Sequence, residues 1–348
     1  MGIEWDKNRE IAENMLETIG RTPLVRLNRV TRGVKPQILG KLDLLNPSSS
    51  LKDRIYYRMI REAEREGDLR KGMTIIEATT GNAGIACTFV GKLLGYDVVI
   101  VMPDGMSEER YRILEAYGAK IIKTPGGESD VDLSLKKLRE IKEANPKKYW
   151  EPDQFGNPDN PRAHSETTGL EIWEQTKGEV DVFVASQGSG GTLTGVGRRL
   201  RMMKPEVKLF AVEPAEAPIL SKRRWGTHKI EGIGDGFVPP NLDLSILDGV
   251  VTTTSGEAIE MARRLALEEG IFCGISSGCN VAASIKVAKK LPEARMIVTM
   301  INDTGQRYLS TELCGVTKEL ELPEREHPLD ERSKRELDKY QSKWMIVE

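Results

Sequence analysis

The sequence predicts an α/β protein of two domains, each a mostly parallel, open twisted sheet with helices on both faces. Three observations lead there. Short apolar runs alternate with glycine-bearing loops and helical stretches from Met73, and a second alternating series begins at Asp181. Between them, around 125–165, Pro, Gly, Asn and Asp accumulate. At 348 residues the chain exceeds the usual size of a single core, so two domains are the default and one large α/β domain the alternative.

The elements follow in order. MTIIEA, TTGNAG, IACTFVGKLLG and DVVIVMP read as strand, loop, helix and strand, a βαβ unit. SEERYRILEAYG continues as an amphipathic helix opened by Ser107 with two acids in its first turn, and AKIIKT is a short strand. From 125 to 165 strands are expected to stop, leaving loops around one helix, DLSLKKLREIKEA, where the chain passes between domains. The second series runs DVFVAS, QGSGG, TLTGVGRRLRMM, VKLFAVE and later EEGIFCG, SSG, CNVAASIKVAKKL, ARMIVTMI and NDTGQRY. Parallel sheets of this kind bind ligands at the carboxyl ends of their strands, and each glycine loop falls at such an end. The tail from Thr317, highly charged and mixed in sign, reads as an exposed extension or packing arm with no assigned chemistry.

Composition narrows the partners. A formal net charge of -2 with 30% charged residues argues against nucleic acid or an anionic membrane as partner and favours a small molecule. Cys87, Cys273, Cys279 and Cys314 form no C-x-x-C pair, and with His164, His228 and His327 as the only histidines no metal-ligand spacing is present. Separate, reduced thiols suit the cytoplasm. The charged N-terminus and strand-length apolar runs (VVIVM, MIVTMI) show no export or membrane signal.

NPSSSLKDR places a lysine where a helix begins. Three serines after Pro47 make a turn and offer an N-cap, and Ile55, Met59 and Ile60 follow at helical spacing, so Lys52 belongs to the first turn. The positive helix end favours a neutral amine, a nucleophile, although Asp53 pulls the other way. A solvated lysine at a capped helix start is the plainer reading.

Three loops could hold a cofactor or substrate. Gly188, Ser189, Gly190, Gly191 and Thr192 join a buried-looking strand to a helix, where backbone N–H groups and the helix dipole suit a phosphate; a tight turn without ligand is the alternative. A Walker A ending is absent, and Leu193 stands where a dinucleotide fingerprint needs glycine. Glu213 could serve as a ribose-binding acid, which keeps a nucleotide-dependent oxidoreductase as an alternative. Thr79, Thr80, Gly81 and Asn82 could bind a carboxylate, or simply turn the chain. Thr304, after the last strand, could offer a hydroxyl to a heteroaromatic ring nitrogen, or the segment is an Asp-capped turn.

Taken together, ETIGRTPLVRLN, NPSSSLKDR, EATTGNAGIA, QFGNPDNPRAHSETTGLEIW, QGSGGTLTG, EGIGDGF, GISSG and TGQRYLST, in that order over residues 18–311, resemble the pyridoxal-phosphate β-replacement family that contains cysteine synthase and cystathionine β-synthase. The resemblance implies the fold type II, tryptophan synthase β-like architecture. It implies a smaller domain at 46–154 with the substrate carboxylate loop, a larger one from 1–45 and 155–316 with the phosphate loop, and a C-terminal extension at 317–348. Pyridoxal 5'-phosphate is the implied cofactor. By the same resemblance Lys52 forms the covalent link to it and moves the α-proton, and Gly188–Thr192 hold its phosphate. Asn82 bonds the ring oxygen, Thr304 faces the ring nitrogen, and Thr79, Thr80 and Gln154 receive the substrate carboxylate. A hydroxyl rather than a carboxylate at the ring nitrogen favours prompt loss of a β-substituent.

The implied activity is β-replacement on a serine-derived amino acid, first as cysteine synthase using O-acetylserine and sulfide. A cysteine-consuming or cystathionine-forming relative comes second, and a dehydratase of this fold third. A homodimer is expected from the family. Three positions depart from its pattern: Ala83 replaces a threonine in the carboxylate loop, Thr304 replaces a serine, and Asp235 stands between Gly234 and Gly236 where a small apolar residue is common. Asp235 is either a turn residue or a pocket carboxylate able to orient or deprotonate water or a thiol. Lys222-Arg223-Arg224 reads as a solvated surface run or an attractor of anionic donors, and Cys279 as a small buried residue.

Overall fold

Local pattern and backbone sterics place nearly every element where the sequence suggests. The computed structural model describes residues 11–127, 130–316 and 327–348. The chain opens with an antiparallel pair, β1 (Leu24–Arg26) and β2 (Gln37–Leu42), followed by α1 (Lys52–Glu66). The first alternating series is β3 (Thr74–Ala78), α2 (Asn82–Leu93), β4 (Asp97–Pro103), α3 (Glu108–Ala116), β5 (Lys120–Thr124), α4 (Val131–Ala144) and β6 (Tyr149–Trp150). Two helices, α5 (Asp159–Glu166) and α6 (Thr168–Gln175), lead to the second series. It comprises β7 (Val182–Ser186), α7 (Gly191–Met203), β8 (Lys208–Pro214), the short α8 (Ile219–Lys222), β9 (Gly249–Thr253), α9 (Ser255–Glu269), α10 (Ile275–Lys290) and β10 (Met296–Ile301). The tail adds α11 (Glu331–Tyr340) and β11 (Met345–Val347).

Two sheets result. The smaller has the order β5-β4-β3-β6 and is parallel throughout. The larger has the order β1-β2-β10-β7-β8-β9-β11, parallel except for β1. In the smaller sheet the chain proceeds from β3 outward to β5 and then returns to β3's other side. In the larger it proceeds from β7 to β9 and returns to β7's other side as β10. Order reversals of this kind open a crevice at the carboxyl ends of the strands involved. Here those ends carry Thr79–Gly81 after β3, Gly188–Thr192 after β7 and Asn302–Thr304 after β10.

Burial explains the patterning. Every residue of β3 and β9 is buried, as expected for strands covered by helices on both faces. Helix α2 is buried along almost its whole length, whereas α1 buries one stripe through Ile55, Tyr56, Met59, Ile60 and Ala63 and ends at Gly67 in the left-handed region.

Several expectations change. Strands do not stop after 125: β6 pairs in parallel with β3 through Tyr149↔Thr74 and Trp150↔Ile75, a contact too short to leave an alternating pattern. Helices α5 and α6 replace loops up to 165 and beyond. Ser107 sits at the N-cap of α3 without capping it, because its hydroxyl donates to the Arg307 carbonyl at 2.6 Å. The tail packs as an arm: β11 extends the larger sheet beside β9, and Leu337 and Trp344 are buried. Lys222 and Arg223 are not merely a solvated run. They pair with the arm's Glu348 and Asp338, each at 2.6 Å.

Candidate active site

The two crevices face one another across a cleft lined from both sheets. Lys52, Thr79, Thr80, Asn82, Ala83 and Gln154 line it from the side of the smaller sheet, with Val131 of α4. Gly188, Ser189, Gly190, Thr192, Asp235, Ser276 and Asn302 line it from the other. Gly191 is buried behind this wall.

Lys52 is the first residue of α1, and its position is set by neighbours rather than by a serine cap. The N-cap is Leu51, in helical conformation, with no side-chain cap. Ser50 Oγ does accept the Lys52 N–H at 3.3 Å, but the other two serines have other work. Ser48 donates its hydroxyl and, at 2.7 Å, its backbone N–H to the Asp53 carboxylate, and Ser49 adopts φ 63. Backbone bonds lace this turn to the loop after β10: Leu51 N–H donates to Asn302 O at 2.9 Å, and Thr304 N–H to Ser49 O at 3.2 Å. The amine then reaches into the cleft and donates to Gln154 Oε1 at 3.3 Å. Asp53 is fully buried, and burial pushes its carboxyl up to about 6 while the Ser48 bonds oppose the shift.

The glycine loop at the head of α7 is built for close approach. Gly190 caps the helix at φ 81, and a Cβ there would lie 2.7 Å from Leu242 N. A Cβ on Gly188 would lie 2.6 Å from the Gly232 carbonyl oxygen. Only glycine fits either position. The first N–H groups of α7 have no intrahelical acceptor and face the cleft with the positive helix end. Bare glycines at 191 and 195 let α5 dock beside α7, which brings two supports to the loop. Asn160 Nδ2 donates to Ser189 Oγ at 2.9 Å, and His164 Nε2 lies 3.1 Å from Thr192 Oγ1. Burial pulls the His164 imidazole down to about 3, with Arg54 adding to the shift, so it is neutral and acts on Thr192 as a hydrogen-bonding partner.

On the opposite side, Thr79 Oγ1 accepts the Gly81 N–H at 3.0 Å and braces the TTGNAG turn, where Gly81 takes φ 152. Asn82 begins α2 and bridges both halves of the site. Its Nδ2 donates to Asp303 Oδ2 at 2.7 Å, and its Oδ1 accepts from Arg307.

Asp235 lies on the cleft wall, so the pocket reading stands beside the turn reading rather than against it. Gly234 and Gly236, at φ 73 and 87, supply the turn, and the side chain between them is buried. Burial pushes its carboxyl up to about 6, opposed by the nearby Lys52.

Thr304 directly follows Asp303 in the loop after β10. It is not among the residues lining the cleft, and its hydroxyl accepts the Gln306 N–H at 3.3 Å in a 3-10 turn. Ser276, in the first turn of α10, also brings a hydroxyl to the cleft wall and accepts from Asn302 Nδ2 at 3.0 Å. Sequence reading missed Ser276, Asn302, Asn160 and His164, although each lies within a quoted motif: GISSG, NDTGQRY or NPDNPRAHSETTG. Glu213 requires a correction. It is buried and spent on α8, accepting from Leu220 N–H at 2.7 Å and Ser221 N–H at 3.0 Å, which leaves no ribose-binding acid at this strand end. Cys279 is buried, as expected, with its thiol pushed up to about 12 by burial.

The donor set fits pyridoxal phosphate. A glycine cradle at a helix N-terminus suits its dianionic arm, an amine stands across the cleft for its aldehyde, and buried hydroxyl and amide groups surround the space between. No helix among the described residues is long and apolar enough to cross a membrane.

Comparison with known proteins agrees. A family model described as pyridoxal-phosphate dependent enzyme matches residues 15–303. A cysteine synthase of Staphylococcus aureus is 44% identical over 302 residues, covering 86% of this chain and 96% of that protein. Among solved structures, a hydrogen sulfide-producing enzyme from Fusobacterium nucleatum superposes with a TM-score of 0.81 at 41% identity, covering 86% of this chain and 98% of that one. A cysteine synthase from Entamoeba histolytica gives a TM-score of 0.84 at 38% identity, covering 98% of both chains. On this geometry and these likenesses, the chain belongs to the family of pyridoxal-phosphate dependent enzymes that includes the cysteine synthases.

Proposed function

We propose that the protein catalyses β-replacement on a serine-derived amino acid, first of all as a cysteine synthase in which sulfide displaces acetate from O-acetylserine. One observation carries the reading: the Lys52 amine stands in the cleft 3.3 Å from Gln154, opposite the glycine loop of α7. Bound pyridoxal phosphate supplies an electron sink that makes the α-proton of an amino acid acidic. The remaining work falls to side chains. Lys52 holds the cofactor and takes up and returns the α-proton at Nζ. Gly188–Thr192 hold the phosphate, with Ser189 and Thr192 oriented by Asn160 and His164. Thr79, Thr80 and Gln154 receive the substrate carboxylate at the positive end of α2. Asn82 orients the ring from one side, and Thr304 offers its hydroxyl to the ring nitrogen, with Ser276 close by on the cleft wall.

A second reading rests on Asp235. A carboxylate in the cleft, ionised above about pH 6, is placed to orient or deprotonate water or a thiol. That favours cysteine as donor, with hydrogen sulfide leaving Cβ and serine or lanthionine formed. In either reading 46–154 acts as the smaller, substrate-binding unit, 1–45 with 155–316 as the larger, cofactor-holding one, and the protein works as a cytoplasmic homodimer.

The test is a substrate panel read by product mass: O-acetylserine, O-phosphoserine, serine and cysteine, each with sulfide, homocysteine or water. Cysteine formed from O-acetylserine and sulfide supports the first reading, and sulfide released from cysteine the second. Lys52→Ala is expected to abolish all turnover and the borohydride-sensitive visible absorbance. Turnover that survives this substitution excludes the mechanism.

A further inference from the structure

The loop that carries Asp235 is braced internally by His228, whose Nε2 lies 3.3 Å from Gly234 O, but it has no regular secondary structure. Gly232, Gly234 and Gly236 take φ 90, 73 and 87, and no helix or strand is formed between α8 and the 3-10 turn at Leu244–Ile246. Such a segment samples many conformations unless neighbours hold it. One side is held from the larger sheet, where Gly234 N–H donates to Gln187 O at 3.1 Å. The other side is held by the C-terminal arm.

The arm grips this loop just past Asp235. Val238 N–H donates to Ser333 Oγ at 3.0 Å, and Arg332 donates to Val238 O. Ser333 is fully buried, and its backbone N–H donates to Asp330 Oδ1 at 3.0 Å, which fixes the start of α11 against the loop. His327 stacks on Trp225, with ring centroids 4.9 Å apart and planes 6° apart. A Cβ at Gly236 would lie 3.0 Å from an atom of each ring, so the stack forms a wall directly behind Asp235's neighbour. His327 Nε2 also lies 3.7 Å from Asp132 Oδ2, in the first turn of α4 and next to Val131 of the cleft wall. The arm thus touches both sides of the cleft.

Its own anchorage is firm. Gln341 Nε2 donates to Leu220 O at 2.7 Å and Ser221 O at 2.8 Å, and β11 pairs with β9. The arm itself lies beyond residue 303, where the family match ends.

We propose that the C-terminal arm is a positioning element for Asp235, in which Ser333 and His327 fix the 232–238 loop so that the carboxylate stays on the cleft wall and cysteine is used as donor. The inference rests on the second reading above, in which Asp235 acts on water or a thiol. Truncating the arm removes a strand and buried side chains, so point substitutions in the full-length holoenzyme are the appropriate probe.

The experiment compares Ser333→Ala and His327→Ala in the native and Asp235→Asn backgrounds. It reads kcat and KM for L-cysteine and for O-acetylserine, cofactor absorbance, and hydrogen exchange of the 232–238 amides. With cofactor absorbance retained, each arm variant is expected to lower kcat/KM for cysteine by about tenfold, with a smaller change for O-acetylserine and faster amide exchange in 232–238. In the Asp235→Asn background the arm variants are expected to change nothing further. Unchanged exchange in both variants overturns the arm's role, as does an equal loss in the Asp235→Asn background. Undiminished cysteine turnover in Asp235→Asn itself, with exchange accelerated in the arm variants, locates the failure in the reading of Asp235 and overturns the arm's part in donor choice.

Discussion

Asn82 and Asp303 meet across the cleft, the Asn82 amide donating to Asp303 Oδ2 at 2.7 Å from the loop of the other sheet. The same oxygen accepts the Tyr308 hydroxyl at 2.7 Å, and Arg307 donates both to Asn82 Oδ1 and to the Ser48 carbonyl just before Lys52. One fully buried carboxylate thereby organises residues placed on both faces of the cofactor space. Asp303→Ala strands an amide and a hydroxyl without an acceptor and removes the stronger of the two carboxylates, Asp303 and Asp53, that act on Arg307. A loss of about 3 kcal/mol of stability is expected in chemical unfolding, together with weaker cofactor retention on dialysis. Asp303→Asn, which keeps an acceptor, should lose less.

As the proposed base, Asp235 is expected to set a pH limb. Burial holds its carboxyl at about 6, so the ionised form needed to take a proton fills in as pH rises through that value. Cysteine turnover, expressed as kcat/KM, is expected to climb between about pH 5 and 7 and level off above. Removing the carboxyl in Asp235→Asn should abolish that limb; its persistence assigns the titration to another group.

Glu77 predicts a pH dependence of folding. It is buried beneath α1 with the Tyr56 hydroxyl 2.8 Å away, and burial pushes its carboxyl up to about 8. The folded pKa exceeds the unfolded value near 4.5, so in this window the folded state binds more protons than the unfolded one. Its contribution is fully present below about 4.5 and is lost as pH rises through about 8, with a slope of up to about 1.4 kcal/mol per pH unit. Urea titrations at pH 5 to 9 on Glu77→Gln and the native protein should differ by this slope.

Gly190→Ala tests the cradle. The substitution puts a side chain at φ 81 and drives its Cβ to 2.7 Å from Leu242 N. The left-handed backbone alone costs about 1–2 kcal/mol. Any shift that relieves the clash moves N–H groups away from the phosphate, and affinity for pyridoxal phosphate is expected to fall at least about tenfold in a fluorescence titration.

Arg54 locks α1 to the larger sheet's side of the molecule. Its guanidinium pairs with Asp43 at 2.8 Å and Glu171 at 2.6 Å, all three being buried. Burial works against the charge, yet the two carboxylates raise its pKa further above the ordinary arginine value. Arg54→Met leaves two buried carboxylates with Lys41 as the remaining nearby cation, and a loss of about 3–5 kcal/mol is expected by calorimetry. Because α1 begins at Lys52, turnover should fall before cofactor content does.

What could be read from the chain was local. Apolar periodicity marked both alternating series, and glycine loops at strand ends marked the proposed phosphate cradle and carboxylate loop. Lys52 was legible as the first residue of a helix, and EGIGDGF singled out Asp235 as a departure. Each of these depends on backbone sterics or side-chain period within a dozen residues, which sequence encodes directly. The remaining features depend on which segments the strand order brings together. Ser276 follows no strand in the chain, and only the seating of β10 between β2 and β7, with α10 packed beside it, brings its hydroxyl to the cleft wall. Likewise β6 is two residues long and β11 three, too short to carry a period, and the arm's grip on Val238 joins residues 95 apart in the chain. Such contacts follow from the packing of a finished core, where distance along the sequence no longer measures distance in space.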